Sequence, residues 1–408
     1  MNRIWKTVTA GFLVLALLAV LCVGCGEEEE EGKVTIVVGE ITDLTGPTAV
    51  SLLPVHYVTE NLVQYYNEEG LIPGVELKLA TYDCRYDPAR DVPGFDWVRE
   101  RGAEVVLAPL YSTAEILKPF AERQRVPVVT SAPTEVILQP PGWVFALGAR
   151  FTDQLRTVLN WISENHWDYE AEGRVPKIGF AGWYQSASID AVRALTEYCQ
   201  VHSDEFEWVG GYYAPVGTMT FPGEVEKLKD CDYICPLGYI GGFFIRDFHA
   251  RGHEAVFFGE SSASSFKGFY VDLAGWEGLD GMLSANTQGW VSDPYPMLGL
   301  SKELLYENHP DEADDLIYAG TGYVCGFVTF RVLFEMIRHA VEKVGAENFN
   351  GQAFYDASLD FEVQFEGFPK WYFTESERGC IYHIAIHEWR AEVEDLVMVS
   401  NWLPLVTE

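Results

Sequence analysis

The stretch from Val105 to Thr134 constrains the fold of this chain more than any other part of its sequence. An apolar run from Val105 to Leu110 precedes a helical segment over residues 113–124, and a second apolar run, from Val126 to Thr130, follows it. This order and spacing predict two parallel, neighbouring strands that are joined by a helix. Both strands then end at the same edge of one sheet, where the residues that follow them are expected to lie close together.

Hydroxyl side chains cluster at that edge. Ser112 and Thr113 follow the first strand, and Ser131 and Thr134 follow the second. We predict that Ser112 caps the helix, with Glu115 three residues later completing a capping box. Free backbone N–H groups and the positive end of the helix dipole then face the hydroxyls, which suits a carboxylate or another small anion. A serine that only caps its helix is the alternative, and the second hydroxyl cluster favours a ligand site.

The same alternation of apolar runs and helical segments fills the chain on both sides of this stretch. Upstream it predicts strands over residues 34–39 and 75–81, with a helix over 50–69 between them. After Arg150 the pattern starts again and predicts a second parallel sheet, with strands over residues 177–183, 207–214, 232–237 and 255–259. The predicted fold class is α/β, with two doubly wound, Rossmann-like lobes.

The C-terminal part predicts how the two lobes are joined. Helices over residues 322–343 and 351–359 are expected to pack back on the first lobe, while alternating stretches over 380–387 and 397–402 predict antiparallel strands that close the second. The chain would cross between lobes three times, forming a hinge with a ligand cleft between them. The predicted domains are residues 33–150 with 286–360 for lobe 1, and residues 151–285 with 361–408 for lobe 2.

The N-terminus predicts export. Arg3 and Lys6 precede an apolar run over residues 10–23, which is too short and wrongly flanked for a membrane-spanning helix. We interpret residues 1–25 as a lipoprotein signal peptide. Residues 26–32 are dominated by glutamate and are expected to form a short, self-repelling acidic tether.

The end of the apolar run predicts a membrane anchor. The sequence LCVGCG over residues 21–26 resembles a bacterial lipobox, with Gly24 before the acceptor Cys25 and Cys22 where leucine is usual. Lipidation of Cys25 would attach the mature protein to the cell membrane, at its periplasmic or extracellular face.

Charge and cysteine content limit the possible partners. The chain has 28 basic and 61 acidic residues, a net charge of −33, whereas nucleic-acid binding needs a basic face. A nucleic-acid partner is therefore not expected. Six cysteines beyond the signal peptide are widely spaced and define no compact disulfide framework, so their pairing stays open. They are Cys84, Cys199, Cys231, Cys235, Cys325 and Cys380.

The sequence carries none of the common catalytic motifs: no HExxH, no GxSxG, no Walker A and no GxGxxG after a strand. His249 and His253 have helical spacing, but Gly252 is expected to end that helix and no third metal ligand is evident. His383 and His387 lie too far apart along a strand to share one metal. We interpret these histidines as surface residues and predict no enzyme activity, cofactor or metal.

A series of short motifs runs through the chain in a fixed order. They are VTIVVGEITDLTGP (34–47), YDCRYDP (82–88), LAPLYSTAEI (107–116), PVVTSAPT (127–134), GTMTFPGEVEKLK (217–229), DYICPLGYIGGFF (232–244) and FFGESS (257–262). Their order and spacing resemble the type I periplasmic binding proteins, specifically the Leu/Ile/Val-binding branch that serves ABC importers. The resemblance covers nearly the whole chain after the signal peptide, although no single motif is specific.

For the first lobe, the resemblance implies a site for the ligand carboxylate. In that family the hydroxyls after these two strands hold this group, which agrees with the hydroxyl cluster described above. Carried over by motif, Ser112, Ala132 and Thr134 are carboxylate contacts, with Tyr111 beside them. The family often has a cysteine where Tyr111 stands, paired with one like Cys84, and that disulfide cannot form here.

For the second lobe, the resemblance implies aromatic and acidic contacts. The position after the strand 177–183 corresponds to Trp183 or Tyr184, and the loop after the strand 232–237 supplies Tyr239. Glu260, directly after an apolar strand, corresponds to the acidic partner of an α-ammonium group. The alternatives are core or rim aromatics and a solvated loop carboxylate.

The resemblance implies a solute-binding protein that presents a small polar ligand to an ABC import permease, with an amino acid of the branched-chain type favoured. Other amino acids, amides or urea, and aromatic acids remain open as ligands. A second hypothesis keeps the fold but makes the protein a sensor that passes ligand occupancy to a receptor. A third is an extracytoplasmic hydrolase.

Overall fold

A computed structural model describes residues 32–131 and 133–407, and the chain from Thr35 onward forms one compact unit. Its strands are β1 (Val34–Thr42), β2 (Val75–Asp83), β3 (Ala103–Leu107), β4 (Val128–Thr130), β5 (Val144–Ala146), β6 (Lys177–Trp183), β7 (Glu207–Ala214), β8 (Tyr233–Pro236), β9 (Val256–Gly259), β10 (Leu283–Asn286), β11 (Glu362–Val363), β12 (Trp371–Tyr372), β13 (His383–Arg390), β14 (Asp395–Met398) and β15 (Leu403–Pro404).

Helices fill most of the sequence between these strands. They are α1 (Ala49–Glu68), α2 (Pro88–Arg99), α3 (Tyr111–Gln124), α4 (Glu135–Leu138), α5 (Phe151–Asn165), α6 (Tyr169–Glu172), α7 (Ser186–Val201), α8 (Pro222–Leu228), α9 (Gly241–His249), α10 (Ser262–Ser265), α11 (Lys267–Leu279), α12 (Pro296–Asn308), α13 (Ala313–Ala319), α14 (Val324–Val344) and α15 (Gly351–Ser358). Short 3₁₀ helices lie at Gly238–Ile240 and Ala346–Asn348.

The first sheet has the strand order β2–β1–β3–β4–β5. Strand β3 pairs in parallel with β1 and with β4, and β4 pairs in parallel with β5. Val106 lies opposite Val128 and Leu107 opposite Val129, so the predicted pair of parallel, neighbouring strands is confirmed. All residues of β4 are buried, as expected for a central parallel strand that is covered on both faces.

The second sheet has the order β14–β13–β10–β9–β8–β6–β7, with β15 paired to β13. Strands β6 to β10 pair in parallel, whereas β13 is antiparallel to β10, β14 and β15. The antiparallel strands predicted in the C-terminal tail are therefore confirmed. Two mainly parallel sheets with intervening helices confirm the predicted α/β fold class.

The C-terminal helices return to the first sheet. The Tyr66 hydroxyl of α1 donates a 2.6 Å hydrogen bond to Glu335 of α14, and the Gly351 N–H at the start of α15 donates to Glu104 of β3 at 3.1 Å. Most residues of α14 are buried, and its charged residues Arg331, Glu335 and Arg338 pair with one another along one face. The predicted packing of these two helices on the first lobe is confirmed. The exact residue ranges of the two lobes stay a prediction.

Six cysteines lie within the described residues, and all six are buried free thiols. Burial raises the pKa of the Cys84 thiol to about 11, so it stays protonated at neutral pH. In the same part of the chain, no single helix is long and apolar enough to cross a membrane; only α13 and α14 taken together, bent by 88°, meet that test of length and composition.

Candidate functional site

A cavity of about 310 Å³ lies where the carboxyl ends of strands from both sheets meet. Loops after β1, β2 and β3 form one side of it, and loops after β6, β7, β8 and β9 form the other. The lining residues include Thr48, Tyr86, Leu110, Tyr111, Phe151, Trp183, Met219, Tyr239, Glu260, Ser262 and Phe266. Open α/β sheets bind ligands at this edge, because the chain there is free to vary while the strands hold it in place.

Glu260 is the one acidic or basic residue among those that line this cavity within the described part of the chain. It directly follows β9, and only 1% of its surface is exposed. Its carboxylate accepts hydrogen bonds from the Ser262 hydroxyl and, at 2.6 Å, from the Ser262 N–H. Burial raises the pKa of Glu260 to about 7, although the two hydrogen bonds oppose that shift. None of the described lining residues is basic, so none balances its charge.

Two aromatic residues predicted from the second lobe line the same cavity. Trp183, at the end of β6, donates from Nε1 to the Thr218 carbonyl at 2.9 Å. The Tyr239 ring lies 6.0 Å from that of Trp183 and stacks on Phe269 at 4.4 Å, so both rings are held in place. Tyr184, the alternative to Trp183, is 65% exposed and is not among the lining residues.

The predicted capping box at the start of α3 is wrong. The helix begins at Tyr111 with Leu110 as its N-cap, and no side chain caps it. Because the helix starts two residues earlier than predicted for a Ser112 cap, Ser112 lies in the first turn. Glu115 does not reach back to the helix start but accepts from the Thr134 hydroxyl at 2.6 Å and from the Ser186 hydroxyl of α7 at 3.0 Å.

The hydroxyls predicted for the first lobe mostly bond to the protein itself. Thr113 is buried and donates to Asp91 at 3.1 Å, while Ser131 donates to the Pro109 carbonyl at 2.8 Å. Neither Thr113 nor Thr134 is among the residues that line the cavity. Tyr111 does line it, so this tyrosine is the predicted first-lobe contact that the structure brings together with Glu260.

For two predicted site residues, Ser112 and Ala132, the structure describes no side-chain hydrogen bond. The Ser112 hydroxyl makes no hydrogen bond to any described residue, and Ser112 lies next to the lining residue Tyr111. The backbone N–H groups of residues 111–113 precede the first hydrogen bond of α3, donated by Ala114 to Leu110. Ala132 lies outside the described residues, as does Cys25.

A second cavity of about 180 Å³ adjoins the first, and none of the described residues that line it is charged. Both cavities are lined by Ser51, Leu110, Tyr111, Phe151, Ser262 and Phe266. The sequence analysis did not predict that the rings of Tyr86, Phe151 and Phe266 line the cavity. Tyr86 lies within the motif YDCRYDP, which could have indicated that it is close to the site. For Phe151 and Phe266, the only indication in the sequence was a position at the start of a helix.

One of the four histidines departs from the sequence interpretation. His387 is fully buried rather than at the surface, with Nε2 3.0 Å from Asp293 and Nδ1 3.0 Å from the Asn286 amide. Both ring nitrogens are thus used within the protein. Among the residues that the structure describes, no group of three or more His, Cys, Asp or Glu side chains has the arrangement of a metal site.

This architecture defines a class of protein in which two α/β sheets hold a small-molecule site between the loops at their carboxyl ends. A family model for periplasmic binding proteins matches residues 35–294, more than half of the chain. The chain therefore belongs to the type I periplasmic binding protein family. Membership implies a small-molecule ligand, an extracytoplasmic location and a transporter permease as partner. No curated protein matches the chain in a sequence search.

Solved structures of this family superpose on most of the chain. A branched chain amino acid ABC transporter protein from Thermus thermophilus with bound valine has a TM-score of 0.76 at 18% identity, covering 91% of this chain and 97% of that one. A fatty acid ABC transporter substrate-binding protein from Thermomonospora curvata has a TM-score of 0.72 at 14% identity, with 91% and 92% covered. A solute binding protein from Rhodopseudomonas palustris BisB5 in complex with 3,4-dihydroxybenzoic acid has a TM-score of 0.73 at 15% identity, with 91% and 98% covered.

Proposed function

We propose that this protein captures an amino acid with an apolar side chain, the class that includes the branched-chain amino acids, and delivers it to an ABC import permease. The observation that carries the proposal is Glu260, a buried carboxylate without a basic partner in an otherwise uncharged cavity. Burying an ionised carboxylate costs free energy unless an opposite charge or hydrogen bonds compensate. A ligand ammonium group supplies that opposite charge.

The first turn of α3 is the proposed site for the other end of the ligand. Tyr111 lines the same cavity as Glu260, and the N–H groups of residues 111–113 are free of intrahelical bonds. These N–H groups, the helix dipole and the Ser112 hydroxyl together favour an anion. An α-amino acid carries a cation and an anion on adjacent carbons and therefore matches both ends of the site.

The charge of the cavity separates the ligand classes found among similar structures. Those structures are described with valine, with fatty acids and with 3,4-dihydroxybenzoic acid. An acid without an amine would bring its negative charge near Glu260 and meet no basic lining residue. Like charges at short range in a buried site disfavour binding. The amine-containing class therefore fits this chain best, ahead of aromatic acids; amides and urea would leave Glu260 without a counter-charge.

Export and anchoring complete the proposal. Cys25, at the end of the predicted signal peptide, is proposed to carry the lipid that holds the protein at the membrane, where it can meet the permease. The variant Cys25→Ala is expected to move the protein from the membrane to the soluble fraction. Unchanged membrane association of this variant would exclude lipidation at Cys25.

The test of ligand class uses a matched pair of molecules, L-leucine and 4-methylpentanoate, which differ by the amine. Glu260→Gln is expected to weaken L-leucine binding by on the order of 2–5 kcal/mol, because a buried charge pair loses one partner. Binding of 4-methylpentanoate should stay the same or improve. Isothermal titration calorimetry measures both affinities.

The control is Glu254→Gln, which removes the same charge from an exposed residue just before β9, at the opposite end of the strand from Glu260. It should leave both affinities unchanged. If Glu260→Gln bound L-leucine as tightly as the parent protein does, Glu260 would not contact the ammonium group, and the amino-acid assignment would lose its main support.

A further inference from the structure

The wall of the main cavity is rich in aromatic rings. Six of its lining residues carry one: Tyr86, Tyr111, Phe151, Trp183, Tyr239 and Phe266. They come from both sides of the cavity, since Tyr86 and Tyr111 follow strands of the first sheet and Trp183 and Tyr239 follow strands of the second. A ligand in this cavity is therefore enclosed by ring faces and ring edges.

These rings are fixed by contacts with one another. The Tyr239 ring packs edge-on against Phe266 at 5.4 Å and stacks on Phe269 at 4.4 Å. On the other side, Tyr111 meets Phe151 edge-on at 6.3 Å. Aromatic pairs in such geometries are favourable, so the wall keeps its shape when the cavity is empty.

The serine and threonine hydroxyls on the wall are already engaged. Thr48 donates to Asp43 at 2.7 Å, Ser51 donates to the Thr48 carbonyl at 3.2 Å, and Ser262 donates to Glu260. None of them has a proton left for the distal part of a ligand. Leu110, Met219 and Ile240 add aliphatic surface to the rings of the wall, so away from Glu260 the cavity favours a largely apolar group.

The size of the cavity sets the size of that group. A cavity of about 150 Å³ in an apolar core is enough to bind benzene. This one measures about 310 Å³, so it has room for a ring and for the amino-acid backbone that bears it. A valine side chain would leave part of the space empty or filled with water that finds few partners. The adjoining cavity of about 180 Å³ offers further room for a fused ring.

We infer that the preferred ligand carries an aromatic side chain, so that the protein selects aromatic over branched aliphatic amino acids. This inference rests on the proposed function, because it takes the ammonium group of the ligand to lie at Glu260. Ring-to-ring contacts with Trp183 and Tyr239 would then supply the selectivity.

The test compares L-phenylalanine, L-tryptophan, L-leucine and L-valine by titration calorimetry on the full chain. At least one aromatic amino acid is expected to bind about tenfold or more tightly than L-valine, the discrimination typical of an apolar pocket that fits the larger side chain. Trp183→Leu should reduce L-phenylalanine affinity by about tenfold and change L-valine affinity far less. Tyr239→Leu serves as a second variant if the first does not fold.

The neighbouring residue provides the control. Tyr184→Leu removes an exposed ring that does not line the cavity and should change each affinity by no more than about twofold. Equal or tighter binding of L-valine, with loss in Glu260→Gln, would overturn the aromatic preference and leave the proposed function intact. Binding of amine-free acids but of no amino acid would overturn the proposed function itself.

Discussion

Two buried carboxylates, Asp91 and Glu260, lie in different surroundings. Asp91, on the side of the first sheet, accepts a hydrogen bond from the buried Thr113 hydroxyl and does not line the cavity. Glu260, on the side of the second sheet, receives hydrogen bonds only from its own loop and faces the cavity. Burial raises the pKa of Asp91 to about 6 and that of Glu260 to about 7.

The different surroundings indicate different roles: Asp91 contributes to the stability of the fold, and Glu260 contributes to ligand binding. A buried polar group that is bonded within the protein helps to hold the fold, and its loss is felt there. A buried charge that faces a cavity and has no opposite charge in the protein costs stability and keeps its binding capacity for a ligand. The two sides of the cavity should therefore respond differently when each carboxylate or its partner is changed.

The largest effect is expected for the stability of Glu260→Gln without ligand. The pKa of Glu260 is raised in the folded protein from 4.5 to about 7, so the native state binds the proton more tightly than the unfolded state does. The ionised carboxylate lowers the free energy of unfolding. This loss is absent below pH 4.5, grows as the pH rises towards 7, and reaches its full value above pH 7. The variant should exceed the parent by about 3 kcal/mol at pH 8 and by almost nothing at pH 4.5.

Urea unfolding of both proteins at pH 4.5, 6 and 8 measures this difference. Parallel stability curves over that range would mean that Glu260 ionises as easily in the folded protein as in the unfolded chain. Glu260 would then carry no uncompensated charge in the folded protein, and the argument that it binds a ligand ammonium group would fail.

A smaller effect, of the opposite kind, is expected at Thr113. Thr113→Val removes the hydroxyl that donates to Asp91 and leaves a buried acceptor without that donor, which should cost about 1–3 kcal/mol of stability. Ligand affinity should not change, because neither residue lines the cavity. Thr113→Ser keeps the hydroxyl and should recover most of the loss. A drop in affinity at unchanged stability would show that Thr113 contacts the ligand.

The smallest effect is expected at Ser112, whose hydroxyl has no partner among the described residues. Ser112→Ala should leave unfolding within about 0.5 kcal/mol of the parent. If this hydroxyl donates to the ligand carboxylate, amino-acid affinity should fall by about 0.5–1.5 kcal/mol, the net value of one hydrogen bond. Calorimetry with the same amino acid decides this, and an unchanged affinity would limit the anion site to backbone N–H groups.

The elements of this fold follow from local sequence patterns, and the sequence predicted them well. Alternating apolar runs and helical segments predicted both sheets, because a parallel strand buried on two faces must be apolar along its length. The position of Glu260 was predictable for a related reason. It directly follows the apolar strand β9, and residues at that end of a parallel strand lie at the edge where ligands bind.

The partners of the hydroxyl groups were not predictable from spacing. Thr113 bonds to Asp91, 22 residues away in sequence, and Glu115 accepts from Ser186, 71 residues away. Such pairs depend on how separate elements pack and leave no periodic signal. The ring of Tyr86 is a similar case, because its backbone has a φ of 54°, a left-handed conformation that sequence patterns do not predict for tyrosine.

The six buried thiols have a consequence for how the chain reaches this fold. The family is extracytoplasmic, where oxidants can join any two exposed cysteines, and six thiols allow 15 fully paired sets. The described structure contains none of these pairs, so every such disulfide in the unfolded chain is a kinetic trap. Once each thiol is buried and protonated, it is a poor nucleophile and the folded protein is inert to exchange.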